Sequence, residues 1–159
     1  TFVHWEVLHM NTSTIRGRFD RSSGAVQFDA RAQRLDLSIS IDTSSVNSGV
    51  RVLDTLLRGS EMLDTATSPM ATFVAREARF EGEALREVLG EFTLRGVTRP
   101  VVLETRVNRV GRHTYSMKYV AGFSATATLK RSDFGMTRLL PAVGDMVELR
   151  LEIEGIRSR

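Results

Sequence analysis

The chain has no cysteine, three prolines, one tryptophan and only two lysines among its 22 basic residues. Without cysteine there are no disulfides, no thiolate metal sites and no cysteine nucleophile, a composition that fits cytoplasm and envelope compartments equally. No apolar run approaches the ~18–20 residues of a membrane-spanning helix. There is no basic-then-apolar leader; the chain opens on Thr1-Phe2-Val3 in strand-like sequence and reads as a trimmed or mature product. Phosphate-cradling glycine loops of the G-x-G-x-x-G or Walker type do not occur, and neither do the G-x-S-x-G and S-x-x-K nucleophile motifs. Aromatics make up 7% of residues, so stacking platforms for nucleic-acid bases are few. The net charge of +3 is spread singly or in pairs such as Arg16 with Arg18, with carboxylates close by, which argues against a nucleic-acid surface.

What is present is period-two alternation. Leu35, Leu37, Ile39 and Ile41 alternate with Asp36, Ser38, Ser40 and Asp42, as a half-buried strand requires. Val147, Leu149, Leu151 and Ile153 alternate with charged residues, and Val101 to Val107 follows the same rule. Tyr115 to Lys130 reads as one long strand. Shorter strands are expected at Val3–His9, Ile15–Phe19, around Val26 and Phe28, at Phe73–Phe80 and at Val88–Leu94. Ser23-Gly24, Gly82, Gly96 with Pro100, and Gly111 punctuate them. One stretch differs: Val50, Leu53, Leu56 and Leu57 have helical spacing, followed by Gly59. The expected fold is all-β, a single domain over residues 1–159. It is an antiparallel β-barrel of about eight strands with one short helix near the barrel mouth.

Candidate chemistry is sparse. His4 and His9 face opposite sides of one strand and cannot share a metal, and no residue set has ligand spacing, so no metal site is expected. His9 shares a face with Trp5 and Val7; it reads either as a hydrogen-bonded core residue or as a polar anchor for a ligand head group. Asp133 and Asp145 flank a loop and suit turn capping or arginine pairing, with an Arg131–Asp133 ion pair one option. An eight-stranded barrel can be filled by side chains or hold one small ligand. The small interior residues Gly17, Gly90, Ala121, Ala125 and Ala127 would leave room for a tunnel, and the pattern leaves both outcomes open.

Three motifs add a family resemblance. Val7-Leu8-His9-Met10 followed by Thr12-Ser13-Thr14-Ile15-Arg16-Gly17-Arg18-Phe19 resembles the V-x-H-M and S-T-V-R-G-x-F segments of YceI-like, polyisoprenoid-binding proteins. Leu94-Arg95-Gly96-Val97-Thr98-Arg99-Pro100-Val101 is similar to the family's L-x-G-V-T-[KR]-P-V. Arg131-Ser132-Asp133-Phe134-Gly135 and Pro141-Ala142-Val143-Gly144-Asp145 resemble its R-S-D-F-G and P-x-V-G-D. The chain departs from the pattern at Thr1, before which the family's D-x-x-H would lie, at Leu63-Asp64 in place of Phe-Asp, and at Arg138 in place of an aromatic.

The resemblance implies a lipocalin-like barrel with an elongated apolar cavity. It would bind, and sequester or transport, a polyisoprenoid, isoprenoid quinone or fatty amide. It also implies a periplasmic or secreted location. Beyond the resemblance, no catalysis, no required cofactor and no membrane span are expected, with a bound isoprenoid quinone or polyprenyl lipid, transient membrane contact and a homodimer left open. The residues expected to meet the ligand are Val7, His9, Phe19, Leu37, Ile39, Phe73, Phe92 and Phe123, with Leu53 and Leu57 near the mouth. An enzyme acting on the same lipid and a filled-core interaction domain are the alternatives.

Overall fold

A computed structural model describes residues 1–157. Ten antiparallel strands form one sheet: β1 (Phe2–His9), β2 (Ser13–Phe19), β3 (Ser22–Asp29), β4 (Arg34–Asp42), β5 (Val46–Asn47), β6 (Met70–Glu81), β7 (Ala84–Leu94), β8 (Val97–Arg112), β9 (Tyr119–Lys130) and β10 (Val143–Ile156). The single α-helix, α1, spans Arg51–Arg58.

The hydrogen-bonded order is β3-β4-β6-β7-β8-β9-β10-β1-β2-β5, and the sheet curls into a half-barrel. The count exceeds eight because two long strands are each bent and broken. β2 runs through Asp20-Arg21 into β3, and β4 runs through a 3₁₀ turn at Thr43–Ser45 into β5. At the bend the Asp20 N–H donates to the Ser45 carbonyl at 3.0 Å and the Asp42 N–H to that of Arg21 at 3.1 Å. The bend therefore closes the end of the barrel that carries β5 and α1. At the other end β3 and β10 share no ladder, and a side chain, Val26, packs against Gly155 instead.

Alternation predicts the core well. Leu37, Ile39, Ile41, Leu149, Leu151, Ile153, Phe123, Ala125, Ala127 and Leu129 are all buried. In the half away from α1, Phe28 stacks on Phe80 at 6.3 Å and meets the Phe123 ring edge-on at 5.3 Å, while a groove lined by Val26, Phe28, Leu37, Ile39 and Ile153 follows the unpaired seam between β3 and β10.

Of the two outcomes left open, a tunnel and a filled interior, the structure shows filling at Gly17 and Gly90. A Cβ on Gly90 would stand 2.4 Å from Phe73 Cζ and 2.6 Å from the Val74 carbonyl oxygen. One on Gly17 would stand 2.2 Å from Trp5 Cζ2. Each glycine is thus a bed for an aromatic ring from the neighbouring strand. Gly90→Ala is expected to destabilise the protein by about 1–3 kcal/mol through overpacking. Phe73→Leu should restore part of that loss, since the backbone contact remains; chemical denaturation of both variants checks this.

Candidate functional site: an apolar cavity under the helix

At the closed end lies a cavity of about 120 Å³. Its wall is hydrocarbon from every side: Val3 and Val7 of β1, Phe19 of β2, Phe92 of β7, Leu129 of β9, and Leu149 of β10. Leu53, Leu56 and Leu57 of α1 roof it, with Met62 and Leu63 just beyond. Among the described lining residues only Trp5 and Arg131 carry a side-chain nitrogen or oxygen.

The helix sits there because its ends are tied down. Asp54 Oδ1 accepts from the Ser48 N–H at 2.7 Å and the Ser48 hydroxyl at 2.6 Å, fixing the lead-in to α1. Arg58 donates to the carbonyls of Ser44 at 2.8 Å and Val46 at 3.0 Å. Arg95, in the two-residue turn between β7 and β8, donates to the Ser60 carbonyl at 2.8 Å and also to that of Met62. The leucine face of α1 and the Asp54 carboxylate are covered, while Val52 points outward, 81% exposed.

The opposite rim is the segment from Arg131 to Asp145. Arg131 is 3% exposed, and its guanidinium donates to four carbonyls, those of Gly144, Met136, Arg138 and Val143, at 2.8–2.9 Å. The Arg131–Asp133 ion pair considered from sequence is absent from the ion pairs among the described residues. Burial pushes the guanidinium pKa down, and the nearby Asp145 charge opposes this. Asp145 caps the rim turn, accepting from Ser132 N–H at 2.8 Å and its hydroxyl at 2.7 Å.

Hydrogen bonds from Ser48 and Ser132 hold the Asp54 and Asp145 carboxyls below their ordinary value of 3.8. A depressed folded pKa gives stability that is present above the unfolded value and lost as pH falls through the folded one. The melting temperature is therefore expected to stay level down to about pH 4 and to drop below it, where both rims lose their carboxylate caps. Asp54→Asn should melt lower at neutral pH and show a smaller acid drop; an unchanged acid drop would place the sensitivity elsewhere.

The residues expected to meet a ligand divide in two. Val7, Phe19, Leu53, Leu57 and Phe92 come together around this cavity. Leu37, Ile39, Phe73 and Phe123 do not reach it; they belong to the packed core, with Phe73 over Gly90 and Phe123 against Phe28. His9 also lies off the cavity wall, at the end of β1, where the register against β10 shifts after Val7. Sequence reasoning passed over Ala71, Met62, Met136 and Leu139, which line the cavity from loops and from a strand start. The helical spacing at residues 50–58 was the one signal pointing to that end.

Among the described residues there is no cluster of three or more His, Asp or Glu side chains able to hold a metal. No described helix is long and apolar enough to cross a membrane.

The YceI-like domain model matches residues 1–155. The chain belongs to the YceI-like family. It is 34% identical over 158 residues to a UPF0312 protein of Ectopseudomonas mendocina, covering 99% of this chain and 82% of that protein. A UPF0312 protein of Yersinia pestis is likewise 34% identical over 159 residues, with the same coverage. The YceI-like fold is shared with Burkholderia cenocepacia BcnA, at a TM-score of 0.85 and 24% identity over 97% of this chain and 95% of that one. A polyisoprenoid binding domain from Saccharophagus degradans, implicated in plant cell wall breakdown, superposes with a TM-score of 0.74 at 18% identity, covering 99% and 94%.

Proposed function

We propose that the protein binds one long apolar chain, of the polyisoprenoid, isoprenoid quinone or fatty amide class, with its end seated in the cavity beneath α1. The observation that carries this reading is a pocket walled by hydrocarbon on a family fold, with no carboxylate, hydroxyl or imidazole among its described lining residues. Such a wall suits binding by burial, worth about 0.8 kcal/mol per CH₂, and offers no general base for turnover. The polyisoprenoid-binding neighbour supports the ligand class. The role is sequestration or transport in a periplasmic or secreted setting, with the outward Val50 just before α1 and Val52 within it giving brief contact with a membrane surface during loading.

The cavity is smaller than the ~300–1,000 Å³ of a typical ligand pocket, so a full chain enters as α1 and Met62 swing outward. Native mass spectrometry of gently purified protein, followed by organic extraction, tests the reading. A long-chain species in near-stoichiometric amount is expected. A clean ligand-free mass that persists after incubation with isoprenoid quinones and fatty amides would overturn it in favour of a filled-core interaction domain.

A further inference from the structure

The barrel has a second hollow, at the end away from α1. Where β3 and β10 part, a groove of about 830 Å³ follows the seam, within the ~300–1,000 Å³ of ligand pockets. It shares no lining residue with the cavity beneath α1. Val26, Phe28, Leu37, Ile39 and Ile153 give it an apolar floor. Beyond that floor the inward positions of the neighbouring strands change character. On β9 the series Phe123, Ala121, Tyr119 ends on a phenol, and along β10 the series Ile153, Gly155, Arg157 ends on a guanidinium. The two ends meet. The Arg157 N–H donates to the Tyr119 carbonyl at 2.9 Å, and the guanidinium lies over the Tyr119 ring, 5.9 Å from its centroid. Arg112 stands directly opposite Tyr119 in the β8–β9 ladder, so its side chain leaves the sheet on the same face.

No carboxylate answers these two charges: among the described residues neither Arg112 nor Arg157 takes part in an ion pair. The run from Thr105 to Ser132, which includes the whole β8–β9 turn, holds no Asp or Glu. Glu154 borders the groove, but it alternates with Ile153 and Gly155 and takes the outer face with Glu148 and Glu152. An apolar floor ending at two guanidiniums is complementary to a hydrocarbon tail that ends in a negative head. We propose that the seam groove is a second binding site, for one single-chain amphiphile whose head is a carboxylate or a phosphate. The tail lies along the floor and the head sits at Arg112 and Arg157. The site is independent of the neutral-chain reading above, because it requires charge and lies at the other end of the barrel.

Dodecanoate, dodecan-1-ol and acetate are the probes. They are followed through the backbone amide signals of Ala121 and Gly155 at the seam and the single indole signal of Trp5 at the other end. Dodecanoate is expected to move the two amides, whether or not the indole moves as well. Acetate, which lacks the tail, should leave them in place at the same concentration. Arg112→Gln and Arg157→Gln, both at exposed positions, should each weaken dodecanoate at the seam about threefold to fivefold, the worth of a solvent-exposed charge contact, and change dodecan-1-ol by less than about twofold. Movement of the indole with the amides still would overturn the seam site and put the chains beneath α1 alone. An equal response of dodecanoate and dodecan-1-ol to both substitutions would overturn the anionic head. Acetate moving the amides as dodecanoate does would reduce the site to a free-anion contact and overturn the role of the groove. No shift at either end would overturn the seam site, while the neutral-chain reading keeps its own test by mass spectrometry.

Discussion

Arg131→Met is expected to lower the unfolding free energy by about 3–5 kcal/mol, the range for removing one partner from a buried charged network. The methionine can occupy much of the space of the arginine stem, so little of this is a packing loss. The effect comes from the four carbonyls of Met136, Arg138, Val143 and Gly144, which lose their donor together. They lie in a segment that closes the cavity rim, whose other ties are the Ser132–Asp145 pair, the Met10 N–H donated to the Ala142 carbonyl at 2.6 Å and the Arg138–Glu61 ion pair. A planar fork with five N–H groups can serve four acceptors on different sides; an ammonium cannot. Arg131→Lys should therefore recover only part of the loss, and Ser132→Ala should lose about 1 kcal/mol. Urea unfolding measures all three. If Arg131→Met stays within about 1 kcal/mol of the unaltered protein, the guanidinium does not hold this rim. The same variant should also weaken ligand retention, because Met136, Leu139 and Val143 of the released segment line the cavity.

Arg131 also shows where reading the sequence stops. A basic residue next to Asp133 suggests an ion pair, and only the fold of the turn reveals that the guanidinium faces backbone instead. The strands were legible because a sheet with one buried face imposes alternation, as in Leu35–Asp42 and Met146–Ile156. Alternation also carried on too far. Tyr115 and Met117 share the parity of Phe123, yet they sit in the turn before β9, where Tyr115 is 91% exposed and Met117 has a left-handed backbone. The pattern of a strand says which face a residue takes but not which neighbour leans over it. Gly17 and Gly90 read as empty space for that reason; Trp5 and Phe73 fill them from the adjoining strands. Leu37, Ile39, Phe73 and Phe123, four of the ten residues expected to face a ligand, fell in the core away from the cavity beneath α1 by the same logic, since every inward position looks alike until the bend at residues 20–21 and 43–45 divides the barrel. Only the helix, with its different period, marked the end that holds that cavity.

Affinity should climb steeply with chain length and then stop. Each methylene moved from water into the cavity contributes about 0.8 kcal/mol, or roughly fourfold in Kd, for as long as new carbons find hydrocarbon wall. The empty cavity of about 120 Å³ takes only the first part of a chain. Further carbons must push aside Leu53, Leu57 and Met62, so the increment should fall once α1 begins to lift. Below them the packed cluster of Phe28, Phe80 and Phe123 blocks a deeper path. Straight-chain ketones of increasing length, titrated against Trp5 fluorescence, are expected to show this break. Ala71→Met should shift it to shorter chains, because Ala71 lines the cavity from the start of β6 and is itself buried. Its effect on long chains should be at least about tenfold, since the added thioether arm takes the place of roughly two methylenes of ligand. Leu37→Met, off the wall of the cavity beneath α1, should leave the profile unchanged. A flat dependence on length, or an equal response to both substitutions, would mean that chains adhere to the outer surface and that the space beneath α1 is not where they bind.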